Sequence, residues 1–210
     1  MATSTKSNKY TYYLATGQID FSSDEFKVLL MSDSFVFDET TMFLLSDVTE
    51  DDWESLTAYS SGAIRIPTTA NGHKYACTTA GTSAASEPAW PTTSGGTVTD
   101  GTVVWTEAGS DDQLPTANGY TQNSKTLTLT AVTPDAATGD TLVEWDDPSW
   151  VASGGYLGSA DGGVPMIAGA LIVDSSASDP IVIGYFEFTT AGFTADGQGL
   201  NLSNLSVEVG

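Results

Sequence analysis

The scarcest reactive groups of this 210-residue chain are one histidine, His73, and one cysteine, Cys77. Both fall in NGHKYACTTAGTSAASEPAWPTTSGGTVTDGTVVWTEAG (71–109), beside Trp90 and Trp105, two of the five tryptophans. A Ser-His-Asp hydrolase needs a general base, and His73 alone is available. It stands in an Asn-Gly-His-Lys turn, and the chain holds no G-x-S-x-G elbow, so nucleophilic catalysis finds little support. The expectation for His73 is a turn residue capping the backbone. Cys77 alternates with Tyr75 on an expected strand and reads as a small buried hydrophobe. A single cysteine also excludes an internal disulfide and a thiolate zinc cluster.

Carboxylates are the other reactive class. Glu50-Asp51-Asp52, Asp111-Asp112 and Asp146-Asp147 are clustered, and glycoside hydrolysis asks only for two acids at the right separation. Among 27 acidic residues such neighbours arise by chance, and no D-x-[DN]-x-[DN]-G calcium loop is present. Solvation of the surface is the expectation, with a structural cation as the alternative. No catalytic residue, cofactor ligand or metal ligand is assigned. Trp53, Trp90 and Trp105 admit two readings, a local core or a face that stacks on sugars. Trp90 lies in the proline-bracketed Glu-Pro-Ala-Trp-Pro, where a rigid exposed ring would bind at low entropic cost. With Tyr59 and Trp105 it forms the candidate set for carbohydrate contact.

The net charge of −21 narrows the partners. Nucleic acid would be repelled, and anionic lipid is a poor match for the same reason. Acidity favours solubility and says little about fold. The opening MATSTKSNKYTYYLATG lacks the apolar core of a secretory signal. No run approaches the ~18 apolar residues of a membrane-spanning helix. A soluble protein made without export is expected.

The elements that must position these residues read as strands. Residues 1–9 suggest an arm, YTYYLATGQIDF a short amphipathic opening, and EFKVLLMS a buried strand in which Phe26, Val28 and Leu30 alternate with Lys27. Residues 38–52 admit a helical turn. Further strands are expected in SKTLTLTAVTP, ATGDTLVEWDDPSWV and LNLSNLSVEV, and GVPMIAGALIVDSSASDPIVIGYFEF reads as a hairpin. Between Trp53 and Gly109 the chain becomes dense in turns, with short strands expected in AIRIP, HKYACTT and TVVWTEA. The predicted fold is all-β: an antiparallel β-sandwich or barrel-like domain (1–52 plus 110–210) carrying a small inserted three-stranded β module (53–109) anchored by aromatics.

Two resemblances follow. Gly17, Ile19, Asp20, Phe21, Asp24, Phe26, Lys27 and Val28, and then Leu45-Ser46-Asp47-Val48, resemble two successive lines of small β-rich virion proteins of tailed bacteriophages. GYTQNSKTLT, LVEWDDPSWV, ALIVD and IVIGYFEF follow in the same order, so the likeness covers about 140 residues. It implies a capsid decoration (cement) protein on the outer surface of the virion, made in the host cytoplasm. Its partner would be the major capsid protein and its state a homotrimer. A tail or fibre component is the alternative. The insert is similar to a phage-associated module through Trp53, Tyr59, Gly62, Gly72, His73, Tyr75, Cys77, Glu87, Pro88, Trp90, Pro91, Asp100, Gly101 and Trp105, and distantly similar to chitin-binding-type modules. That likeness implies weak glycan binding, hence an adhesion role as the rival reading. It departs at Gly62-Ala63, where the pattern has Gly-Asp.

Overall fold

The computed structural model describes residues 3–134, 136 and 139–209. In chain order the strands are β1 (Thr3–Lys6), β2 (Phe26–Ser32), β3 (Ala58–Tyr59), β4 (Ile64–Arg65), β5 (His73–Thr79), β6 (Gly81–Thr82), β7 (Thr97–Asp100) and β8 (Val103–Ser110). They continue as β9 (Lys125–Leu127), β10 (Leu129–Pro134), β11 (Thr141–Trp145), β12 (Ser149–Val151), β13 (Ile167–Asp174), β14 (Ile181–Gly192), β15 (Gly199–Asn201) and β16 (Ser206–Val209). One helix, α1 (Tyr10–Ala15), and a 3-10 turn at Leu45–Asp47 are the helical elements among the described residues. The protein is all-β with antiparallel sheets.

The body is organised by a five-stranded sheet in the order β1-β14-β13-β2-β9. Alternation along β2 sends Phe26, Val28 and Leu30 to one face and Leu29 and Met31 to the other, and all five are buried. The same holds for β13, where Ala170 and Ile172 oppose Leu171 and Val173. A sheet apolar on both faces must be covered twice. One cover is the three-stranded sheet β10-β11-β16, which adds Val143, Trp145 and Val207 to a core shared with Tyr10, Ile19 and Phe26. The other is the irregular segment after β2, which lays Phe35, Phe37, Met42, Leu45 and Val48 over Leu29, Met31 and Tyr185. Gly169 is required there, because a Cβ at this position would collide with the Tyr185 ring.

The expected opening differs in one respect. Thr3–Lys6 form an edge strand that pairs Ser4 with Phe186 and Lys6 with Gly184, in place of a free arm. Positions 1 and 2 of that arm, and 137 and 138 at the start of an expected strand, lie outside the described residues. The hairpin expected near 164–188 is β13–β14, and the last strand divides into β15 and β16.

The insert is four-stranded rather than three-stranded, in the order β4-β5-β8-β7, with a two-stranded β3–β6 ribbon beside it. The additional strand is Thr97–Asp100. Its Gly101-Thr102 turn folds TVTDGTVVW into a two-residue hairpin onto β8. Gly101 has φ +62°, and a Cβ there would meet the Thr82 carbonyl. The aromatic core of this unit (Trp53, Tyr59, Tyr75, Cys77, Val103 and Trp105) shares no buried residue with the two clusters of the body.

Candidate functional site

The two units meet along a seam that includes the residues singled out in the sequence. Past Ser110 the chain runs beside the end of β2, where the Ser32 N–H donates to Asp112 O at 2.8 Å and the Leu114 N–H to Leu30 O at 3.0 Å. The Ser32 hydroxyl adds a bond to Asp111 O at 2.6 Å. β5 enters from the insert side. Asn71 Oδ1 accepts the His73 N–H at 3.0 Å, so Asn71 is the residue that caps this turn.

His73 therefore does not have the expected capping role. Its ring is held between two carboxylates: Nδ1 lies 3.0 Å from Glu107 Oε1 on β8, and Nε2 lies 3.3 Å from Asp161 Oδ2 of the body. Burial acts to raise the Glu107 carboxyl, but hydrogen bonds from His73 and from the Gly95 and Gly109 N–H groups outweigh it, and the net shift is downward. Asp161 behaves alike: burial opposes, the Gly163 N–H and His73 prevail, and its carboxyl lies below the usual range. Beside this clasp a cavity of about 280 Å³ is lined by Ser32, His73, Asp111, Leu114, Ser159 and Asp161. With both ring nitrogens engaged by carboxylates, His73 is a clasp between the insert and the body rather than a free base.

On the other flank of the seam, Lys74 Nζ contacts Asp112 Oδ1 at 2.7 Å and Glu50 Oε1 at 3.1 Å. Asp51, Asp52 and Asp147 are exposed, as expected of clusters that solvate the surface, but Glu50 and Asp111 are not, which corrects the expectation for those two. The Glu50 side chain is only 10% exposed, and Asp111 as a residue is only 2% exposed. Burial, then Asp112, push the Glu50 carboxyl up against the pull of Lys74. Asp111 is pushed up to about 8, first by burial and then by Glu50 and Asp112. Neither of its carboxylate oxygens has a hydrogen-bond partner. Local sequence does not mark this cluster, because Glu50-Asp51-Asp52 and Asp111-Asp112 are about 60 positions apart and each looks like an ordinary polar turn. The usable signal is Lys74, one of six cations in the chain, placed just after the Asn71-Gly72 turn at the start of β5. Among the described residues, no three His, Cys, Asp or Glu side chains converge to hold a metal ion.

The candidate carbohydrate residues are not arranged as a platform. Trp105 is fully buried and Tyr59 is 6% exposed, so neither offers a ring face to a ligand. Their burial follows from packing: the two rings meet edge to face at 4.9 Å. Asp100 also draws Trp105 inward by accepting its indole N–H at 3.0 Å and that of Trp53 at 2.7 Å. Arg65 lies over the Tyr59 ring. Trp90 is half-buried; it packs on Tyr75 and donates its indole N–H to Glu87 Oε1 at 2.8 Å. Cys77 is buried as expected, and burial raises its thiol.

Comparison with known proteins returns no relative: no family model, no curated protein and no solved structure matches this chain.

Proposed function

We propose that this chain is a structural protein of a tailed-bacteriophage virion, a decoration protein that binds the outer shell as a homotrimer and stabilises it without catalysis. The observation that carries the reading is where the virion-like motif residues lie. Ile19, Phe26, Val28 and Val48 are buried in the two cores of the body. Asp24 accepts the Asp20 N–H at 2.6 Å, and Asp47 accepts the Phe43 and Leu44 N–H groups, so the polar motif residues close the turns between them. The resemblance thus rests on residues that dictate the body's fold, and the insert packs on a separate core. A body that docks on a shell and carries a module outward accounts for both.

Binding at symmetry-related positions on the assembled shell would add stability by mass action, since the ligand engages only the folded lattice. The outer strands β1 and β9 are the edges of the central sheet, where a neighbouring subunit would add. A glycan-adhesion role has less support, because burial of Tyr59 and Trp105 leaves Trp90 as the single partly exposed ring of the candidate set.

Mixing the purified chain with undecorated shells tests the proposal. Saturable co-sedimentation in numbers comparable to the major capsid protein, with a higher shell rupture temperature, is expected. A handful of copies per particle would identify a tail component, and retention only on glycan-coated beads would identify an adhesin.

A further inference from the structure

The seam contains a group that the proposed function does not use. Asp111 sits where the insert rejoins the body, in the wall of two cavities, each of about 280 Å³. Its backbone is fully engaged: the N–H donates to Gly72 O at 3.0 Å, and the carbonyl accepts from Ser32. Its carboxylate is not, for both oxygens are buried and unpartnered. The charged groups that act on it most are Glu50 and Asp52 from the segment ahead of the insert, Asp112 beside it, and Lys74 on β5, while His73, Asp161 and Asp33 line the cavity it shares with the clasp. The Tyr75 phenol also feels its field. Lys74 already spans Glu50 and Asp112 and has no direct contact with Asp111. A buried carboxylate without a donor, surrounded by three other acids, is unfavourable as an anion and tolerable as a neutral acid.

We propose that the seam between the inserted sheet and the body is operated by a proton: Asp111 is neutral when the two units are docked, and its ionisation loosens the insert. The four groups around it set the direction. An Asp111 anion repels Glu50, Asp52 and Asp112 at once, and the segment that carries it, just past β8, is one of the two covalent links between the units. Opening this link would admit water to the carboxylate and leave the two separate cores intact, because neither draws a buried residue from the other. The module would then swing on its two connections without unfolding.

The sign follows from the raised value in the folded state. Between the ordinary aspartate value of 3.8 and about 8, the docked form holds a proton that the open form has lost. Docking therefore weakens as pH rises through that window and is level above it. One proton corresponds to at most about a tenfold change in the docking equilibrium per pH unit.

The experiment is limited proteolysis at residues 50–54 and 108–114, with wild type and Asp111→Asn compared at each pH from 5 to 9. The amide is a permanent stand-in for the neutral acid, so the ratio of the two cleavage rates removes the protease's own pH dependence. Wild type is expected to be cut progressively faster than the variant as pH rises, by tenfold or more at pH 9, while Glu39→Gln, at an exposed acid of the body, keeps the wild-type profile. Equal profiles for wild type and Asp111→Asn would overturn the proposal. So would protection of the wild type at pH 9 by millimolar calcium chloride that is reversed by EDTA, since a cation rather than a proton would then neutralise the site. Carboxyl carbon NMR of the unmodified chain provides a readout that needs no variant: an Asp111 midpoint near 8 is expected, and one in the ordinary carboxylate range would overturn the proposal.

Discussion

Trp90 lies against Tyr75 with ring centroids 4.4 Å apart and planes inclined by 36°. This contact turns one face of the indole inward, and the Trp105 ring meets it edge-on at 5.8 Å. Glu87 ties the indole N–H and also accepts the Thr68 hydroxyl and N–H, so the Pro-Ala-Trp-Pro loop is clamped to the insert at its polar end. The proline-bracketed tryptophan is part of the module's packing.

Trp90→Ala should therefore act mainly on stability. Losing a half-buried indole and its contacts with two aromatic neighbours should cost roughly 2–3 kcal/mol. The expected outcome is a lower melting transition of the insert with unchanged retention on a glycan array. Glycan-dependent retention by wild type that vanishes in the variant would assign Trp90 to ligand binding.

Asp100→Ala should be more damaging than its position at a hairpin turn suggests. One carboxylate serves the Trp53 and Trp105 indoles and the Ala84 N–H at 2.8 Å, and the residue is 2% exposed. Removing it strands two buried indole donors, at about 1–3 kcal/mol each, and a partly buried backbone N–H. Tryptophan fluorescence should shift to the red, and the insert should melt before the body. Asp100→Asn, which keeps one acceptor oxygen, should recover part of the loss.

Replacing residues 53–109 with a short Gly/Ser bridge should leave the body folded. Lys74 reaches both Glu50 and Asp112, so the two ends of the cut lie close together, and both cores of the body are formed by residues outside the cut. A single cooperative thermal transition and β-rich circular dichroism are expected. A chain that aggregates or loses cooperativity would show that the insert is needed for the body to fold.

His73→Gln should weaken the clasp by about 1.5–3 kcal/mol, the scale of hydrogen bonds to charged groups. Glu107 and Asp161 are both held below their ordinary values in the folded chain. Their stabilisation is thus present above the ordinary carboxylate range and is lost as pH falls through the folded values. Wild type should lose stability in acid more steeply than the variant, as read by denaturant midpoints across the acid range.

Much of the fold was legible in the chain. Period-two alternation through Phe26–Leu30 and the Ser/Asp/Pro turn near 175–180 specify strands and a hairpin by local stereochemistry, whatever packs on them. Local turn chemistry also marked the insert, with its run of glycine and proline punctuation. Asp100-Gly101 reads as a turn, but the strand ahead of it, Thr97–Asp100, escapes local reading because Val98 is its only large apolar residue.

What the sequence determined by itself is therefore the class of structure: strands, turns, an insert with its own aromatics, and a net charge of −21. What only the tertiary structure decided is the environment of each reactive side chain. Trp105 and Tyr59 look like candidate sugar contacts until packing places them edge to face in a core. Asp111 reads as a solvated turn acid until β2 closes over it, and His73 as a turn cap until Asp161, 88 positions away, supplies its second carboxylate. Burial and long-range charge pairs depend on which segments meet, and local sequence does not encode that meeting.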